Sequence, residues 1–140
     1  MEPCRIEFIT IPAPDLAAAA SFYGQVFGFS IRQFSERFWV FKAGNLSGGL
    51  DRDLAVCSGG IGFSITVPHM VSVLKTVVAQ GGRVLRAPYS LGAGAGFCAR
   101  FADPNGNVLE LHSSSPPEGL SPAVAEDRDR PSARGDSIDG

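Results

Sequence analysis

The sequence predicts an α+β domain in which one βαβββ unit occurs twice. Three observations carry this. The tetrapeptide ITIP at Ile9 to Pro12 returns as ITVP at Ile65 to Pro68, 56 residues later. Each copy is followed by apolar residues at helical spacing and then by a glycine stop. Beyond each helix pattern lie three short stretches with strand character.

The elements follow in order. After the first strand, Asp15 is a natural N-cap, and Leu16, Ala20, Tyr23 and Phe27 recur at helical spacing until Gly28 supplies the C-terminal stop. Strands are expected at about Phe29 to Phe34, Arg37 to Lys42 and Leu46 to Asp51. In the second unit, Val71, Leu74, Val77 and Val78 form the helical stripe, which Gly81-Gly82 ends. Strands are then expected at Arg83 to Arg86, Gly96 to Ala102 and Asn107 to His112. Asp103-Pro104-Asn105-Gly106 reads as the turn joining the last two, because Asn-Gly accepts positive φ.

Alternation assigns the faces. Ile9, Ile11, Phe63, Ile65, Val67, Leu109 and Leu111 belong beneath the helices. Phe8, Thr10, Gly62, Ser64, Thr66, Val108, Glu110 and His112 belong on the opposite side.

Charge and composition bound the function. Residues 1–112 hold nine basic and eight acidic side chains, and residues 113–140 hold three and six. A nearly neutral body with scattered Arg and Lys lacks the footprint of a nucleic-acid binder. No apolar run reaches the length of a membrane span. The opening MEPCRIEF has no basic region followed by an apolar stretch, and Cys4, Cys57 and Cys98 are odd in number without metal-type spacing. A cytoplasmic chain with reduced thiols is expected. The last 28 residues contain four Pro and no aromatic residue, so 113–140 is expected to be a disordered acidic tail. The domain is then 1–112, with modules 1–53 and 60–112.

With these elements in place, the chain resembles the vicinal oxygen chelate superfamily of glyoxalases, bleomycin-resistance proteins and extradiol dioxygenases, in particular its small glyoxalase-related branch. The resemblance covers about residues 5–112. It rests on ITIPAPDLAAAASFYGQVFGF at Ile9 to Phe29, GGL at Gly48 to Leu50 and FADPNGNVLELHS at Phe101 to Ser113. It implies paired modules forming a cupped mixed sheet with helices outside, a small-molecule ligand on the concave side, and a homodimer.

Metal-using members of the superfamily take ligands from the first strand of each module and from the last strand. Carried onto this chain, those positions fall on Phe8, Gly62 and Glu110, and the region of Gly48 to Leu50 offers no fourth ligand. Phenylalanine and glycine side chains cannot coordinate a cation, so no metal and no other cofactor is expected.

Glu110 is then the first candidate for an acid or base, since an apolar cavity disfavours its ionised form; with Arg100 beside it, it becomes a paired carboxylate that closes the cup. His112, on the same strand face, is the second catalytic candidate. Arg100 reads either as a holder of an anionic ligand group or as a solvated edge residue. Phe8, Thr10, Trp39, Gly62, Ser64, Thr66 and Cys98 complete the expected ligand surface, with a small buried thiol the other reading of Cys98. Gly92-Ala93-Gly94-Ala95-Gly96 leads into a strand, which excludes a phosphate loop, and reads as a flexible rim loop. The leading expectation is a metal-independent lyase or isomerase working by proton transfer. The alternatives are a sequestering protein of the bleomycin-resistance type and a metal-dependent glyoxalase or dioxygenase.

Overall fold

The computed structural model describes residues 3, 6–57, 59 and 62–118. It has the predicted α+β class and the predicted element order. The first module comprises β1 (Phe8–Pro12), α1 (Leu16–Phe27), β2 (Ser30–Gln33), β3 (Phe38–Ala43) and β4 (Leu46–Asp51). The second comprises β5 (Ser64–Thr66), α2 (Met70–Ala79), β6 (Arg83–Ser90), β7 (Phe97–Ala102) and β8 (Val108–Ser113). Each module makes its own four-stranded mixed sheet, with orders β1-β4-β3-β2 and β5-β8-β7-β6. In both, the first strand runs parallel to the last. The helix returns the chain to start a second strand in the same direction, and two antiparallel turns then restore that direction in the last.

Local chemistry explains the helices. Asp15 accepts a hydrogen bond from Ala18 N at 3.0 Å, and Gly28 ends α1 in the left-handed region at φ 72°. Leu16, Ala19, Phe22 and Tyr23 are its buried side chains. On α2 the buried residues are Met70, Leu74 and Val77, while Val78 is 56% exposed. The expected stripe is thus rotated slightly toward Met70.

The α2 N-terminus is capped from a distance. His69 stands at the N-cap position without a side-chain bond, and Glu118 takes over. Its carboxylate accepts from Val71 N and from Ser72 Oγ, both at 3.0 Å. Ser113 is a buried strand residue and Pro117 is buried as well, so residues up to 118 pack with the body, beyond the expected boundary at 112. The rest of that tail, like Cys4, lies outside the described residues.

The two modules share one core. Phe22 and Phe27 of α1 pack on Phe101 of β7 at ring separations of 6.0 and 5.7 Å. Ile9 and Ile11 from one sheet and Phe63, Ile65 and Leu109 from the other line the same apolar cavity of about 470 Å³. Both sheets therefore turn their helix-side faces inward, and their opposite faces look outward.

Candidate functional site

Strand pairing gathers the polar candidates on the outward face of the second sheet. Ser64 is in register with Glu110 and Thr66 with His112. Arg100 and Cys98 of β7 stand opposite Glu110 and His112. Six of the expected site residues, Ser64, Thr66, Cys98, Arg100, Glu110 and His112, thus share one face.

Glu110 is the hub of this face. One carboxylate oxygen accepts from Ser64 Oγ at 3.1 Å, and the other lies 3.9 Å from Arg100 Nε. The two side chains are 19% and 26% exposed, so the pair is shielded from water without being buried. Because β7 is an interior strand, Arg100 is not a solvated edge residue. It is the counter-ion of Glu110.

His112 and Cys98 are committed elsewhere. His112 Nε2 lies 2.9 Å from the Ala95 carbonyl, which can only accept, so Nε2 carries the proton and donates. This bond pins the glycine-rich segment. Leu91 N also donates to Gly96 O, Ala95 N to Gly92 O and Gly92 N to Ser90 Oγ, which makes the segment a tight turn in place of the loose rim loop expected. Gly96 sits at φ 95°, and a Cβ there would press on Ser113 O and the His112 ring. Cys98 is 1% exposed and bonded to Tyr89, so the buried-thiol reading is the one the structure has.

Two residues that sequence reasoning passed over belong to this face. β6 continues to Ser90, past the expected end at Arg86, with register shifts on either side of Arg86. These irregularities place Arg86 opposite Arg100 and Tyr89 opposite Cys98. The Arg86 guanidinium carbon lies 3.5 Å from the Tyr89 ring centroid. Burial first, and then the hydrogen bond with Cys98, push the Tyr89 phenol well above its usual range. Pro88 within the strand is a signal that a bulge was possible, but its position in the ladder depends on the partner strand.

The outward face of the first sheet is apolar. Phe8, 45% exposed, stacks on Phe38 at 6.4 Å with an interplanar angle of 14°. Thr10 is exposed beside it. The strand partner expected here, Trp39, points the other way. It pairs with Leu50 and packs against the core, where its indole N–H is buried without a partner among the described residues. Alternation puts Phe38, not Trp39, on the outward face. Gly62 is exposed, with open space where a Cβ would stand.

The cavity is bounded mainly by helix-side residues, with Ser64 and Thr66 of the edge strand β5 also lining it, whereas Glu110, Arg100, His112 and Cys98 do not. The cavity's titratable group is Tyr23, whose hydroxyl is already given to Asp103. We place the candidate site on the polar face, because orientation and specificity need convergent hydrogen-bonding groups.

The donor set does not fit a metal. Phe8 and Gly62 bring no donor atoms, and among the described residues no three His, Cys, Asp or Glu side chains come together. No chemical step is therefore routed through a cation.

Paired βαβββ modules, each closing a four-stranded mixed sheet beside one helix, define the fold class. The chain belongs to the Glyoxalase/Bleomycin resistance protein/Dioxygenase superfamily, whose sequence profile matches residues 5–111. No curated protein matches it by sequence. Among solved structures it is similar to a glyoxalase/bleomycin resistance protein/dioxygenase family enzyme from Burkholderia phytofirmans PsJN, with 20% identity and a TM-score of 0.67 over 78% of this chain and 98% of that one. It is also similar to the genomically encoded fosfomycin resistance protein of Listeria monocytogenes, with 16% identity and a TM-score of 0.66 over 79% and 91%. A lactoylglutathione lyase from Agrobacterium tumefaciens shares 22% identity and a TM-score of 0.62 over 81% and 96%. At these identities the likeness is one of fold.

Proposed function

We propose that this chain binds a small organic molecule on the polar face of its second module, without a metal, in the manner of a sequestering protein. The carrying observation is the Glu110 environment. One oxygen is held by Ser64 and the other faces Arg100, so the carboxylate serves as an acceptor and counter-ion that orients a ligand. A proton-transfer role needs a carboxyl group free to exchange its proton with substrate. His112, with Nε2 given to Ala95, does not supply that role through the same nitrogen.

The site in this reading is completed by a second copy. Both outward faces are open in the single chain, and each offers what the other lacks. Phe8 and Phe38 supply a flat apolar surface, while Ser64, Thr66, Arg100 and Glu110 supply polar contacts. A homodimer that lays the aromatic face of one chain over the polar face of the other encloses a ligand between them. A strictly monomeric species in analytical ultracentrifugation overturns the dimer. A cytoplasmic location belongs to the same reading and rests on the odd number of cysteines without metal-type spacing in the sequence.

The second reading is a metal-independent lyase or isomerase with Glu110 as acid or base. It is favoured by the shielding of that side chain from water. Glu110→Gln separates the two readings. In a binding protein, ligand affinity changes modestly and there is no turnover to lose. In a proton-transfer enzyme, turnover falls by roughly 10² or more while affinity holds. Elemental analysis of protein prepared without a metal-affinity tag checks the donor-set argument, and a stoichiometric cation held through Glu110 overturns it.

A further inference from the structure

The outward face of the second sheet carries two guanidiniums set directly against each other. Arg86 and Arg100 are register partners on the antiparallel pair β6 and β7, so their side chains emerge side by side. Like charges directly opposite on neighbouring strands oppose pairing. Arg100 is offset by Glu110 at 3.9 Å. Arg86 meets no carboxylate within ion-pair distance among the described residues, and its stabilising contact is the face of Tyr89.

That contact has a geometric consequence. A guanidinium is planar and carries its five N–H donors in the plane, so laying it over a ring leaves the donor edges free while fixing where they are. Tyr89 is itself held, being 6% exposed and bonded to Cys98. The register shifts around Arg86 are what bring both side chains to the same face. Here, then, are a half-buried fork of donors on a rigid support, a second guanidinium beside it on β7, and, beyond β8, hydroxyls from Ser64 and Thr66 on β5.

We propose that this face is an oxyanion site. Arg86 and Arg100 together hold a carboxylate, phosphonate or phosphate group of the ligand, with Arg86 as the specificity-determining residue. The inference rests on the small-molecule reading above and narrows it, since two guanidiniums beside the Glu110 carboxylate favour an anion over a cation. The apolar body of such a ligand meets the Phe8 and Phe38 rings.

The test is an NMR titration of the full chain with phenylphosphonate, and with benzyl alcohol as its neutral counterpart, following the Arg86 and Arg100 Nε–H signals. Phenylphosphonate is expected to move both signals saturably and to bind more tightly than benzyl alcohol. Arg86→Gln is expected to weaken phenylphosphonate binding by about tenfold or more. Arg86→Lys, which keeps the charge without the fork, retains part of the affinity and guards against loss through unfolding. If phenylphosphonate leaves both arginine signals unmoved, or binds native protein and Arg86→Gln equally, the oxyanion site is overturned. Benzyl alcohol then moving Ser64 and Glu110 preserves the small-molecule reading. Movement by neither probe removes both.

Discussion

The Tyr23 hydroxyl donates to Asp103 Oδ2 at 2.8 Å, across 80 residues of chain, and this bond joins the two modules. Asp103 begins the turn between β7 and β8, and its other oxygen accepts from Asn105 N and Asn107 N. Asn107 Nδ2 reaches both Asp103 and the Pro12 carbonyl, and Asn105 exchanges hydrogen bonds with the Asp15 backbone. The Asp-Pro-Asn-Gly-Asn run is therefore more than a turn. It locks the second module onto the β1–α1 corner of the first.

Tyr23→Phe keeps the ring packing and removes this donor from a buried carboxylate. Chemical denaturation is expected to show a loss of about 1.5–3 kcal/mol, the range for hydrogen bonds to charged groups. An unchanged midpoint would show that the module contact is held by the rings alone.

The same burial predicts alkaline behaviour. Burial, reinforced by the Asp103 charge, raises the Tyr23 phenol well above its ordinary 10.0, and Tyr89 is raised as well. The protonated phenols are favoured in the fold, so their contribution is complete below pH 10 and is lost as pH rises beyond it. Near-ultraviolet absorbance should stay free of phenolate where exposed tyrosine titrates and then rise together with unfolding. Tyr23→Phe should make the alkaline loss less steep.

Glu118 should mark where the dispensable tail begins. Truncation after Ser113 is expected to lower Tm, and truncation after Glu118 to leave it nearly unchanged. The carboxyl is held below its ordinary 4.5 by a hydrogen bond at its own backbone, with Ser72 and Val71 adding to it. Its contribution is thus present above that value and fades as pH falls through the lowered one. The Tm difference between native protein and Glu118→Ala should close in the same acid range.

Gly48 predicts a packing limit. A Cβ at that position would meet the Phe41 ring and stand 2.5 Å from the Ile9 carbonyl oxygen, which as backbone cannot swing aside. Gly48→Ala is expected to cost about 1–3 kcal/mol, the usual price of overpacking. Calorimetry measures it directly.

Much of this was legible before any coordinates. The repeat, the Asp15 cap, the Gly28 stop and the inward placement of Ile11, Leu109 and Leu111 all rest on interactions within a few residues or on strict strand alternation. Alternation also put Ser64, Glu110 and His112 on one face. It could not orient Trp39, whose strand has large apolar residues on both sides and therefore no polar phase to read. Nor could it find Arg86 and Tyr89, because a bulge adds a residue to one strand and resets the phase beyond it.

The amino-acid sequence by itself determined the class, the order of elements, the two-module plan and the absence of donor atoms at Phe8 and Gly62, since each depends on local period or on side-chain identity. Tertiary structure alone decided which groups meet. Arg100 beside Glu110, Arg86 over Tyr89, Tyr23 on Asp103 and Glu118 on the α2 N-terminus are contacts between residues distant along the chain or shifted in register. Their partners are selected by packing and pairing geometry, which no local period encodes.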